Sequence, residues 1–185
     1  MKKIILLTMF SMLMLAGNVK AQQTKVDSIR IEQDILQAKL DSLLYDEAVK
    51  AIDDKAFTLE ADQVVFKYGE FAYVNANTNF VSVKGDKAVV QVAFNIPVSG
   101  PNGLGGVTVE GSVSGYKKTI DKKGTIHLEF NVMGNGISAQ VFVTMPKGTS
   151  NASVEISPNF NSNRLTLNGV VLPIRKSHVF QGRTF

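Results

Sequence analysis

The pattern of hydrophobic and polar positions changes period along the chain. Residues 4–16 are apolar apart from Thr8 and Ser11, with Lys2 and Lys3 ahead of them and Asn18 and Lys20 just beyond. From about Thr24 to Ala51 the apolar residues Val26, Ile29, Leu36, Leu40, Leu43, Leu44 and Ala48 recur at spacings of three and four, with Gln33 as the polar gap. Such spacing puts them on one stripe of an α-helix. The opposite face carries Asp27, Arg30, Asp34, Lys39, Asp41 and Asp46, and neither Gly nor Pro interrupts the segment. A single amphipathic helix is therefore expected.

After Phe57 the period is two. Runs rich in β-branched and aromatic residues predict strands at Phe57–Ala61, Val64–Tyr68, Phe80–Val83 and Ala88–Phe94, divided by Gly, Asn and Asp. Tyr116–Ile120 and Thr125–Val132 flank Asp121-Lys122-Lys123-Gly124, which predicts a hairpin closed by a type I turn with a left-handed glycine. In its second strand Ile126, Leu128, Phe130 and Val132 alternate with Thr125, His127, Glu129 and Asn131, so one face is buried and the other is wet. Further strands are expected at Ile137–Thr144, Ala152–Ile156, Arg164–Leu167 and Val170–Leu172. The fold class is thus mainly β: an N-terminal amphipathic helix, then an antiparallel β-barrel or β-sandwich of about eight to ten short strands. Barrel and sandwich stay open, because closure depends on strand register.

The N-terminal run matches a secretory signal, with a basic start, a short apolar stretch and small side chains at Val19 and Ala21. The run is too short to span a bilayer, which takes roughly 20 apolar residues. Cleavage is expected between Ala21 and Gln22. The expected organisation is then a signal peptide over 1–21, an amphipathic helix over 22–55 and an antiparallel β domain over 56–185. With no cysteine in the chain, lipid attachment at an N-terminal Cys, disulfides and thiolate chemistry are excluded. The expected product is periplasmic or secreted, without a transmembrane anchor after processing.

Processing changes the charge argument. Without Lys2, Lys3 and Lys20 the 20 basic residues fall to 17 against 16 acids. The remaining basic pairs, Lys117-Lys118, Lys122-Lys123 and Arg175-Lys176, are separated, and no nucleic-acid partner is implied. Half of the acids precede residue 55, so the helix is net acidic and the β region net basic. That complementarity favours docking of one on the other.

Candidate chemistry is sparse. The two histidines are His127, two residues before Glu129 on one strand face, and His178, read as part of a terminal strand. With no H-x-x-H or H-E-x-x-H spacing and no calcium-loop motif, no metal site and no cofactor are expected. No G-x-S-x-G elbow presents a nucleophile, so no catalytic residue is named. Glu110 and Glu129 are conceivable as paired carboxylates, but nothing selects them over a solvated face. Gly100-Pro101-Asn102-Gly103-Leu104-Gly105-Gly106 lacks the Lys-Ser/Thr of a phosphate loop and reads as a strand connection. The ligand-binding candidates are Asn102, Leu104, His127 and Glu129.

Phe57 to Ala61 after an amphipathic lead-in, Asn79-Phe80-Val81 with Gly85-Asp86, the Gly100–Gly106 loop before Glu110-Gly111 and Tyr116, and the ending Gln181-Gly182-Arg183-Thr184-Phe185 together resemble an uncharacterised family. It is the domain of unknown function 4251 of exported Bacteroidota proteins, and the resemblance covers roughly Phe57 to Phe185. It implies export and a β-rich fold, and it supplies no catalytic residues. It also implies a host in which Asp27-Ser28-Ile29 and Asp41-Ser42-Leu43 resemble O-glycosylation sites at Ser28 and Ser42.

These features point to a non-enzymatic envelope protein whose β domain binds a small apolar or amphipathic molecule. The alternative is a protein-interaction component of an envelope complex, using the helix or a sheet edge. A hydrolase with an unrecognised site is the third reading.

Overall fold

The computed structural model describes residues 2–93, 106–134, 138–159 and 164–182, with side chains described from residue 28 onward. The chain forms two compact units, Met1–Leu40 and Asp41–Phe185. Helix α1 (Lys2–Asp53) runs through the first and into the second. It includes both the expected helix and the expected signal.

The second unit is built on nine antiparallel strands: β1 (Ala56–Phe66), β2 (Phe71–Tyr73), β3 (Phe80–Lys84), β4 (Lys87–Ala93), β5 (Gly106–Ile120), β6 (Ile126–Gly134), β7 (Ser138–Met145), β8 (Asn151–Pro158) and β9 (Leu165–Pro173). A single 3₁₀ turn, Ile174–Lys176, follows. The strand order is β2-β1-β3-β4-β5-β6-β7-β8-β9, and β1 also pairs with β9. That last pairing, from Phe57↔Pro173 to Phe66↔Leu165, closes an eight-stranded barrel, with β2 as an extra strand on the far half of β1. Barrel, not sandwich, is the architecture.

Several strand boundaries differ from the sequence expectation. The predicted Phe57–Ala61 and Val64–Tyr68 are one strand, β1, whose ladder with β9 slips between Ala61 and Gln63. Bulges of this kind bend a strand without ending it. Arg164–Leu167 and Val170–Leu172 likewise merge into β9, where Asn168-Gly169 continues the ladder rather than turning. Gly169 is required there by close approach, since a Cβ would lie 1.9 Å from the Glu60 carbonyl oxygen. The predicted hairpin strand at Tyr116 is the end of the long β5, which begins at Gly106, and β2 was not predicted at all.

The hairpin turn is as expected. Gly124 has φ +83°, its N–H donates to the Asp121 carbonyl at 3.0 Å, and the Asp121 N–H donates to the Thr125 carbonyl at 3.0 Å. The Asp121 Oδ1 also accepts from the Lys123 and Thr125 N–H groups at 2.8 and 2.9 Å.

Alternation decides what lies inside. Phe57 and Leu59 on β1, Val81 and Val83 on β3, Leu128 and Phe130 on β6, and Val141, Val143, Val154 and Leu167 beyond are essentially inaccessible and form one cluster. An eight-stranded barrel is just wide enough for side chains to fill, and here they do. Ala48, Ala51 and Ile52 of α1 belong to the same cluster, so the last turns of the helix close over the interior. The Tyr116 hydroxyl donates to the Ile52 carbonyl at 2.6 Å while its ring stacks on Phe130. Burial pushes the Tyr116 phenol well above its ordinary value, so it stays a donor. Glu47 pairs with Lys176 at 2.5 Å and with Arg175 at 3.6 Å, and Asp53 pairs with Lys118. The expected complementarity of acidic helix and basic β region is realised at these contacts.

Candidate functional site

The wet face of β6 and its neighbours holds the sequence-derived pair. His127 and Glu129 lie on the same side of β6, and with Lys117, Thr119, Phe142 and Thr144 they line a surface depression of about 200 Å³. His127 Nε2 lies 3.4 Å from Asp121 Oδ2, and Glu129 Oε1 accepts from Gln140 Nε2 at 2.9 Å. The Thr125 backbone N–H, aided by those of Lys123 and the His127 ring, holds the Asp121 carboxyl below its usual range. The structure therefore brings His127 and Glu129 to one open depression, each engaged with a neighbour on the same face. Beyond Thr144 the face continues as a polar ladder: Ser153 Oγ donates to Asn168 Oδ1 at 2.7 Å, and Asn168 Nδ2 donates to Gln63 Oε1 at 2.8 Å. Among the described residues no group of three or more His, Asp or Glu side chains could hold a metal ion.

A second feature escaped sequence reasoning. Glu60, Phe80, Gln91 and Thr108 are cross-strand neighbours on the outer side of β1, β3, β4 and β5. Phe80, Gln91 and Thr108 are nevertheless buried. The segment 177–182 lies over them without regular secondary structure, rather than as the strand expected around His178. Gln91 Nε2 donates to the Thr78 and Phe180 carbonyls at 3.0 and 2.8 Å, and its Oε1 accepts from Thr108 Oγ1 at 2.9 Å and from the Gly182 N–H at 2.7 Å. Glu60 Oε1 accepts from Ser177 Oγ and the His178 N–H. With every donor and acceptor of Gln91 engaged, this is a clasp that fixes the C-terminal segment, and no unpaired group remains to meet a ligand. The only signal in the sequence was one polar residue inside an apolar run.

The third feature is on the helix. Ile29, Leu36, Leu40 and Leu43, from the predicted stripe, are 47%, 69%, 48% and 58% exposed, and among the described residues of that stripe only Ala48 is buried. Packing on the barrel instead uses Ala48, Ala51 and Ile52 with Tyr45 and Val49 alongside. Ser28 and Ser42 are exposed positions of α1. Asn102 and Leu104 lie outside the described residues, and Ala21 and Gln22 lie within α1. Among the described residues no helix is long and apolar enough to cross a membrane.

Residues 39–171 match the domain of unknown function DUF4251. The chain belongs to this family. A crystal structure of a DUF4251 family protein from Bacteroides eggerthii DSM 20697 at 1.95 Å resolution is 50% identical, with a TM-score of 0.68, and the match covers 80% of this chain and 99% of that one. No curated protein matches the chain. The DUF4251 match begins at Lys39, inside α1, earlier than the resemblance read from Phe57, and so takes in the helix turns that pack on the barrel.

Proposed function

We propose that this DUF4251 protein is an exported, non-enzymatic interaction protein of the cell envelope, in which the barrel is a rigid base and the exposed part of α1 is the docking element. The observation that carries the reading is the row Ile29, Leu36, Leu40 and Leu43 left open to solvent on a helix whose next turns are fastened to the barrel. Scattered exposed apolar residues are ordinary, but a row recurring at three and four along one helix face, interrupted at Gln33 alone, marks a contact surface. The other reading, a small apolar or amphipathic ligand held by the β domain, draws less support. Side chains fill the described interior, and the depressions on the outer face are open and polar-rimmed.

Export in the native host with a photo-reactive residue at Leu36 or, as a control, at Ser153 tests the proposal. Protein adducts from position 36 and none from position 153 are the expected result. A lipid or other small molecule co-purifying in stoichiometric amount, with no protein adduct at 36, overturns it in favour of the ligand reading.

A further inference from the structure

The exposed stripe has the spacing of a coiled-coil seam. With Gln33 and Leu40 as a positions, Ile29, Leu36 and Leu43 fall at d, and Val26 extends the series by one more a position. The alternation of three and four is unbroken over these 18 positions, which span about 27 Å of helix. Ile31 and Ile35, also exposed, fall at f and c, outside this seam. Ser28 and Ser42 fall at c as well, so modification there leaves the seam accessible.

The flanking charges choose the occupant. The g positions hold Glu32 and Lys39, and the e positions Arg30, Gln37 and Leu44. In a parallel pair of these helices g faces e of the next heptad, setting Glu32 beside Gln37 and Lys39 beside Leu44, with no charge matched. In an antiparallel pair g faces g, and Glu32 of each copy meets Lys39 of the other. The same register stacks Ile29 on Leu40 and Leu36 on Gln33 of the second copy, and it places every seam residue of one helix opposite a seam residue of the other. The stripe is therefore complementary to its own reversed copy, the requirement for a two-fold interface.

We infer that residues 26–43 of α1 pair with the same segment of a second copy of this chain as a short antiparallel coiled coil. The inference rests on the docking reading above and names its partner. A helix this short is marginal in isolation, but here it extends from turns already fixed on the barrel, which removes the cost of nucleation. Gln33, set against Leu36 of the second copy at two layers, weakens the seam, which suits a dissociable pair.

The test is sedimentation velocity on the protein expressed as the full chain and purified in its processed form, over ~1–300 µM, a range suited to a weak dimer. A concentration-dependent dimer is expected, abolished by Leu36→Asp with helix content and barrel unfolding unchanged. Glu32→Lys or Lys39→Glu alone is expected to weaken the dimer by about tenfold, two attractive pairs becoming two repulsive ones. The double variant, with the charges exchanged, restores it. Because the chain has no cysteine, a single spin label at Ser42→Cys gives orientation directly. Labels held more than about 20 Å apart mark the antiparallel pair, given 1.5 Å of rise per residue. A monomer throughout the range, a dimer indifferent to Leu36→Asp, or adjacent labels overturns the inference. Protein adducts that still form at position 36 in a monomeric protein would leave the docking reading standing without it.

Discussion

Gln91 stands on the outer side of β4 and is fully buried all the same, because the segment 177–182 covers it. A residue with two donors and two acceptors all engaged is costly to replace by an apolar one of similar size, since its partners are left unpaired in a dry environment. Gln91→Leu should cost about 2–4 kcal/mol in chemical denaturation. Amide exchange at Phe180 and Gly182 should rise with it. Asp121 offers a pH test. Its carboxyl is held below the ordinary value of 3.8, chiefly by the Thr125 N–H, so its contribution is complete above that value and fades as pH falls through the lower folded one. The stability gap between the natural protein and Asp121→Ala should be constant from pH 7 to about 5 and close at lower pH. A gap independent of pH would show that the ionised form of the Asp121 carboxyl adds nothing to the turn.

Among the elements, β9 shows where pattern reading fails. Asn168-Gly169 has the composition of a turn, and in isolation would be read as one. Glycine is present for a different reason: β1 passes so close that any Cβ would meet the Glu60 carbonyl. Gly169→Ala should therefore cost at least about 2 kcal/mol, more than the ~1 kcal/mol that an unconstrained Gly→Ala can gain by restricting the unfolded chain. Thermal unfolding would measure it, and a stabilised variant would show the β1–β9 contact to be looser than described. β6 and β7 are the opposite case. The alternation from Ile126 to Val132 gave the buried face of β6 directly, and the structure repeats it from Ala139 to Met145 in β7, where one buried face leaves no freedom to slip.

At the scale of the whole molecule, closure joins β1 to β9 from opposite ends of the β region, and the last turns of α1 seal the interior through Ile52 and Tyr116. Removing buried methylenes at that seal should be felt by the entire barrel. Ile52→Ala is expected to cost about 2–5 kcal/mol, whereas Leu36→Ala should stay within about 0.5 kcal/mol at concentrations where the chain is monomeric. Equal losses in equilibrium unfolding would contradict the division between a fastened and an exposed part of one helix. Pairings this distant in sequence also make closure slow relative to a helical bundle of the same length.

The periodicities by themselves determined that a helix precedes an all-antiparallel β region, which face of β6 is wet, and where the Asp121–Gly124 turn lies, because each of these is a local consequence of side-chain spacing and glycine stereochemistry. The same reading brought His127 and Glu129 to one face. It did not separate the barrel from the sandwich, since that depends on whether β1 meets β9, a contact between residues about a hundred positions apart in the chain. Nor did it separate the helix stripe that packs from the one that stays open: both are apolar at spacings of three and four, and only the tertiary contacts place Ala48, Ala51 and Ile52 inside and leave Ile29, Leu36, Leu40 and Leu43 to water.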